Sequence, residues 1–446
     1  MRFPLKASWF LLVPFFLSPC EAKTTVALAA SPDLSIEVRP GIKADQYGLP
    51  NGLTVILVQN LAAPQVVVNH WVKIGSLHET PGITGIAHLF EHMMFRPLKE
   101  KAPSFSDVLK KMGGEYNAST SFERTDYYSS VPEVYLEPLL KAESDRFKNL
   151  KVSDKLLDVE RKAVASEYAT KFDSSPVADI WEAVFRVGYP GHPFGWMILG
   201  FREDLDRIKA EDCNRFFAKY YRPNNVGLIV TGNIDKVKTL AFVKKYYGNW
   251  KRGEDSKLPE EYKGSDKMIV GKGKLKAGAR NLMIGFRIPT FTPENAHLMN
   301  LANYILVGSD MSVAHRQLVH KRVVADLSPF NFNYDAGLLK VLMTLPPETS
   351  YEKAIDGFLN LKKDFAEISD KDYAAFLQAY YIDLAEGNIR NSSINEHLAL
   401  SWGKWGSLNV LARELKGPLD IPKQFLQVFF DKYLVKENVV AVSNLE

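Results

Sequence analysis

"RFFAKYYRPNNVGLIVTGN" at residues 215–233 and "VFFDKYLVKENVVAVSN" at residues 428–444 read alike. Phe216, Phe217, Lys219, Tyr220, Asn225 and Val226 match Phe429, Phe430, Lys432, Tyr433, Asn438 and Val439 without a gap, at one constant offset. Each stretch reads as a helix end, a short loop and an apolar strand. Six identities in one register point to a duplicated unit about half the mature chain in length.

The charged run "KRGEDSKLPEEYKGSDK" (251–267) lies between the two halves and reads as a linker. Before it, "LTVILVQN" and "QVVVNHWVKIGS" are Val- and Ile-rich strands, and "EYNASTSFERTDYYSSVP" is a strand hairpin. Helical stretches are expected at about 82–95, 104–112, 133–148 and 153–171. After the linker, "NLMIGFRIP", "ENAHLMNLANYILVG" and "LLKVLMTLPP" repeat the order strand, helix, strand. Strands in groups with helices between them predict an α+β fold. Two duplicated domains are expected, each a mostly antiparallel sheet packed with helices. Their boundaries are drawn at 34–250 and 273–446, with 251–272 as the linker.

The 446 residues are 46% hydrophobic and 24% charged, which is enough for a normal core. Fifty-six basic against 52 acidic side chains leave a net charge of only +4, and there is no dense basic tract, which argues against a nucleic-acid partner. The N-terminal stretch 1–22 differs from the rest. A short basic "MRFPLKAS", an apolar "WFLLVPFFL" and the small-residue "SPCEA" give the order of a secretory signal, so export to a periplasm or the medium is expected. The apolar run is too short to span a membrane, which takes about 20 residues. Cys20 sits in "LSPC", a loose lipoprotein box that Pro19 fits poorly. With the leader removed, Cys213 is left alone and no intrachain disulfide can form.

"HLFEHMMF" (88–95) carries the chemistry. On a helix, His88 and His92 lie one turn apart on one face, the spacing at which two imidazoles chelate one Zn²⁺. Glu91 is rotated slightly off that face, which suits a base acting on a water rather than a ligand. The order is H-x-x-E-H, the inverse of H-E-x-x-H. "HETPG" (78–82) fails the same test, because position 82 is Gly and its Pro and Gly disfavour helix. A catalytic zinc takes a third protein ligand, often a carboxylate. "DVERKAVASEYATKF" (158–172) offers Glu160 and Glu167, two helical turns apart on one side, one for the metal and one for the layer behind it. The other histidines have no comparable partners. No phosphate loop and no GxSxG elbow is present.

"GIAHLFEHMMF" resembles the active-site helix of the inverzincin metallopeptidases, the family of pitrilysin, insulin-degrading enzyme and the mitochondrial processing peptidase. The family places its third ligand, a Glu, well downstream of the second His, at the separation that Glu167 has from His92. It places another Glu two helical turns before that ligand, where Glu160 stands. The resemblance therefore implies one zinc per chain on His88, His92 and Glu167, with Glu91 as the base. Glu160 joins this catalytic set by orienting a histidine or steadying the Glu167 region. "GGEYNASTSFERTDYY" (113–128) is similar to the family's substrate strand. A peptide would then join a sheet edge near Asn117 and Ala118, although Asn117 reads equally well as a turn residue.

The resemblance also implies a partner. The family's site closes between two half-shells, and this chain has the length of one. The second half-shell donates an Arg and a Tyr, seven apart. The nearest stretch here, "QLVHKRVVADL" (317–327), puts Val319 and Asp326 at those places. A second chain of the same fold is expected to supply them, in a heterodimer or a homodimer. The expected activity is an exported zinc endopeptidase acting on unstructured peptides. The alternative is a non-catalytic scaffold or peptide-binding subunit of the same fold.

Overall fold

The computed structural model describes residues 31–444 apart from 63, 100–101, 174, 176, 258, 261, 263–267, 273–279, 290–291, 293, 331–337, 388–390 and 417–420. The leader expected at 1–22, with Cys20, lies outside the described residues. The first half of the sequence runs β1 (Leu34–Arg39), β2 (Ile42–Gly48), β3 (Thr54–Gln59), β4 (Gln65–Val72), α1 (Ile86–Met93), α2 (Phe105–Lys111), β5 (Glu115–Thr120), β6 (Thr125–Pro132), α3 (Leu136–Asn149), α4 (Asp154–Tyr168), α5 (Ala178–Gly188), α6 (Arg202–Arg207), α7 (Ala210–Tyr220), β7 (Val226–Gly232) and α8 (Lys236–Tyr247). The second half runs β8 (Ile269–Lys272), β9 (Arg280–Arg287), α9 (Ala296–Val307), β10 (Asp326–Phe330), β11 (Leu338–Leu345), α10 (Tyr351–Ala366), α11 (Asp370–Gly387), α12 (Asn391–Trp405), α13 (Asn409–Glu414), α14 (Lys423–Tyr433) and β12 (Val439–Ser443).

The first sheet has the order β1-β2-β3-β7-β4-β6-β5, and the second β10-β11-β9-β12-β8. Read from its other end, the second repeats the core of the first. β8 lies parallel to β12 as β3 does to β7, and every other pairing is antiparallel. The fold is therefore the expected α+β arrangement of two mostly antiparallel sheets packed against helices. The repeat that starts at Phe216 and Phe429 extends to whole elements. α7 and α14 begin at Ala210 and Lys423, and β7 and β12 at Val226 and Val439, all in the same register.

The strands are apolar on both faces because both faces are covered. In the first sheet Val55, Leu57, Val66, Val68, Leu228 and Val230 pack with Leu89 and Phe90 of α1 and Leu139 and Leu140 of α3. The alternate residues Ile56, Val58, Trp71 and Ile229 pack with Ile394, Leu398, Ala399 and Trp402 of α12. The second sheet repeats this. Leu282, Ile284, Val341 and Ala441 face α9, α10 and α14, while Met283, Leu338, Val440 and Val442 face Ile180, Val184 and Phe185 of α5. α5 and α12 begin at Ala178 and Asn391, once more in the register of the repeat. Each half thus lends the corresponding helix to the other half's sheet. Asn395 of α12 fixes one exchange, its buried amide donating to Thr231 Oγ1 at 3.2 Å and to the Ile229 carbonyl at 3.3 Å.

This exchange corrects the boundaries drawn on the sequence. The stretches 34–250 and 273–446 are not self-contained, since each leaves one sheet face to a helix of the other. The linker expected at 251–272 also runs too far, because Ile269–Lys272 form β8 inside the second sheet. Helix ends differ too. The expected helix from 82 starts only at Ile86, because Gly82 and Gly85 adopt left-handed φ of 97° and 85°. The expected helix 153–171 is α-helical to Tyr168, and a π turn over Ala169–Asp173 follows.

Candidate metal centre

α1 buries Ile86, Ala87, Leu89, Phe90 and Met93 against the sheet. That apolar stripe turns His88, Glu91 and His92 toward a cleft of about 820 Å³, which the β5 strand and α4 also line. α4 is started by Ser153, whose Oγ accepts from Leu156 N at 3.3 Å, and it carries Glu160 and Glu167 toward α1 two turns apart.

Glu167 Oε2 lies 3.5 Å from His88 Nε2 and 3.4 Å from His92 Nε2. Two ligands each about 2.1 Å from one tetrahedral zinc stand about 3.4 Å apart, so the spacing fits one ion. These three are the one group of His, Cys, Asp or Glu side chains, among the described residues, that brings three ligand atoms within 4.8 Å of one another. Two imidazoles and one carboxylate form a donor set that a zinc ion accepts. Burial, reinforced by His92, lowers the His88 pKa to about 4, so its imidazole is neutral and able to bind a cation.

The other side of His92 is held by the second glutamate. Glu160 Oε2 lies 3.5 Å from His92 Nδ1, and Glu160 Oε1 pairs with the Arg96 guanidinium. Burial works against the Glu160 carboxylate, but His92 and Arg96 outweigh it and hold its pKa below the usual value. Burial likewise lowers His92, yet Glu160, Glu91 and Glu167 together raise it. A carboxylate behind a ligating histidine fixes which nitrogen faces the metal. Glu160, 1% exposed, therefore acts through His92.

Glu91 stands beside this cluster, and Thr120 Oγ1 of β5 donates to its Oε2 at 2.5 Å. Burial raises the Glu91 pKa, with the Thr120 hydrogen bond opposing. Asn117 and Ala118 lie on β5, an edge strand of the sheet, and both line the cleft. Ala118 N donates to Asn117 Oδ1 at 2.9 Å. Asn117 is therefore a strand residue, not the turn residue that was its other reading.

Three site residues were not singled out in the sequence. They are Thr120, which donates to Glu91; Arg96, which pairs with Glu160; and Lys171, whose ammonium pairs with Glu167 Oε1. Arg96 lies one turn beyond His92 and Lys171 one turn beyond Glu167, so the spacing that finds the ligands also finds them. Val319 ends a π turn over His315–Val319, and Asp326 opens β10, an edge strand of the second sheet. Cys213 is buried, and burial pushes its thiol up to about 12, so it offers no nucleophile.

No helix among the described residues is long and apolar enough to cross a membrane. Residues 54–199 match the family model described as Insulinase (Peptidase family M16), and 207–378 match the Peptidase M16 inactive domain. The chain is 27% identical over 360 residues to the zinc protease PqqE of Helicobacter pylori, covering 79% of this chain and 77% of that protein. Its fold matches the crystal structure of a protease from Helicobacter pylori with a TM-score of 0.82 at 23% identity, over 90% of this chain and 99% of that one. It also matches the periplasmic protease PqqL from Escherichia coli with a TM-score of 0.72 at 16% identity, over 90% of this chain but only 48% of that one. With the H-x-x-E-H motif, the Glu167 carboxylate beside both histidines and the two matching models in sequence order, this chain belongs to peptidase family M16.

Proposed function

We propose that this chain is the catalytic half of an exported, zinc-dependent endopeptidase that cuts unstructured peptides. The observation that carries the reading is the convergence of His88 Nε2, His92 Nε2 and Glu167 Oε2 beside a buried, hydrogen-bonded Glu91. One zinc held by His88, His92 and Glu167 would polarise the peptide carbonyl and make an attacking water more acidic. Glu91 Oε2 is held by Thr120, which leaves Oε1 to take the proton of that water and pass it to the leaving amine. Glu160 keeps His92 Nδ1 occupied, so that Nε2 stays turned to the metal. The substrate would lie along β5 by strand addition near Asn117 and Ala118. A non-catalytic scaffold has no use for a base held in this way, and the geometry favours the enzyme.

The two basic and aromatic groups expected to help at the carbonyl are absent from the aligned positions, where Val319 and Asp326 stand. We assign them to a second chain of the same fold closing over this one. The match to about half of PqqL supports a half-shell. The test is zinc analysis with cleavage of a quenched fluorescent peptide, by this chain alone and with a candidate partner. One zinc per chain and partner-dependent cleavage are expected. A chain that binds no zinc, or that cleaves at full rate as a dilute monomer, overturns the corresponding part. Export is tested by sequencing the N-terminus of the native protein, which should begin after about residue 22, either just after Ala22 or within "TTVALAA".

A further inference from the structure

α1 has no side-chain cap of its own, since its first turn begins at Gly85. The orphaned amides are taken by a carboxylate from outside the helix. Glu79 Oε2 accepts from Gly85 N at 2.9 Å, and Oε1 from Ala87 N at 3.0 Å. The same Oε2 accepts from the Trp196 indole Nε1 at 3.0 Å. Glu79 is 2% exposed. Burial pushes the Glu79 pKa up to about 8, against the Ala87, Gly85 and Trp196 N–H donors, which lower it, so its hold on the helix rests on these hydrogen bonds rather than on charge.

Trp196 leads directly into Met197, Ile198 and Leu199, which form a wall of the cleft. That wall meets the start of α1 backbone to backbone. A Cβ on Gly85 would collide with the Leu199 carbonyl oxygen, and one on Gly200 with the Thr84 carbonyl carbon. A second buried carboxylate ties the same joint. Asp204 Oδ2 accepts from Thr84 Oγ1 at 2.7 Å, and Thr84 Oγ1 accepts from Phe201 N at 2.9 Å.

We propose that Glu79 is a positioning residue which bolts the metal-bearing helix to the Met197–Leu199 wall, so that the metal ligands and the substrate wall keep one relative placement. This rests on the zinc-peptidase reading above. Glu79 touches neither substrate nor ligand. It acts through the amides of α1 on one side and the Trp196 indole on the other.

The test uses the full chain with its partner, with Zn²⁺ as the metal probe. Glu79→Gln should weaken zinc, in competition with a chromophoric chelator, by about tenfold, the lower range for outlying supports of a metal site. It should also raise KM and speed amide exchange in both 85–89 and 197–201. Trp196→Phe keeps the carboxylate on α1 and removes only its tie to the wall. It should raise KM and speed exchange at 197–201 while zinc affinity stays within twofold. Asn395→Ala is the control for stability loss elsewhere, and it should leave zinc affinity and both exchange segments unchanged. Zinc affinity of Glu79→Gln equal to wild type, or Trp196→Phe without effect on 197–201, overturns the bolt. If the wild type binds no zinc, the metal reading fails, and the exchange of the two segments still decides the bolt. If Glu79→Gln does not fold, Trp196→Phe decides it.

Discussion

The first half of the molecule places α1 against α4 beneath its sheet, and the second places α9 against α11 beneath a sheet of the same core order. In the first pair, His88 and His92 meet Glu160 and Glu167. In the second, Tyr304 OH donates to Asp383 Oδ2 at 2.8 Å. The one histidine of α9, His297, lies 3.3 Å from Glu414 of α13 rather than facing an α11 carboxylate. The clefts differ in size as well, about 820 Å³ in the first half and about 380 Å³ in the second. Among the described residues, one scaffold thus carries a candidate metal constellation once. Chemistry here is a property of four or five side chains set on a fold that does not itself require them.

The sharpest test of that contrast is at the base. Glu91→Gln should lower kcat by about 10²- to 10⁴-fold, the worth of a positioned acid–base group, while zinc content by atomic absorption stays at one per chain. Loss of zinc would make Glu91 a ligand and redraw the site. Next comes the layer behind the ligands. Glu160→Gln should weaken zinc by roughly 10- to 100-fold in chelator competition. Asp383→Asn, at the corresponding helix of the second half, should not change it. A metal effect from Asp383→Asn would erase the distinction between the halves.

A smaller effect concerns pH. Besides His88, two further histidines of the first half, His70 and His78, are held neutral by burial. His78 is lowered to about 4, and His70, which faces Tyr247, Glu143 and Arg146, well below its usual value. The unfolded chain takes up these protons near pH 6.5 and the folded chain does not. Stability is therefore full above pH 6.5 and falls as the pH drops toward 4, by about 1.4 kcal/mol per pH unit for each histidine. Urea melts at pH 7.5, 6 and 5 should show the slope, and His70→Gln should reduce it. The smallest effect is expected at Tyr304→Phe, which removes one exposed hydrogen bond of the second half. It should cost about 0.5–1 kcal/mol in the same melts and leave zinc binding untouched.

The repeat was legible because Phe216, Tyr220 and Asn225 occupy structurally demanding places at a helix–loop–strand corner, and their copies stayed identical. The candidate cluster was legible in part because helical spacing turns positions into faces. The periods of two helices paired His88 with His92 and Glu160 with Glu167, while the choice of Glu167 to join the histidines came from the family resemblance, and the structure brings these three together. The exchange of α5 and α12 was not legible. An amphipathic helix announces that it will be buried but not beneath which sheet, and the two helices share an offset without sharing obvious residues. β8 was hidden for a similar reason. Four residues with alternating exposure beside a charged run carry too little pattern to separate a strand from a linker. Thr120 and Glu79 were missed because their partners, Glu91 and the α1 amides, are set by tertiary contact. "HETPG" failed as a metal motif, and its glutamate is the buried group that holds the start of the metal helix.

The exchanged helices also set a timetable for synthesis. When β7 has left the ribosome at Gly232, every strand of the first sheet exists, yet one face of it has no cover. Ile56, Val58, Trp71 and Ile229 wait for residues 391–405. At roughly 5–20 residues per second, that wait is on the order of 10–30 s. Throughout it, the nascent protein shows a flat, apolar, strand-built surface, the kind that draws chaperones and invites aggregation. The half that carries His88, His92 and Glu167 can close only after α12 of the other half has been made.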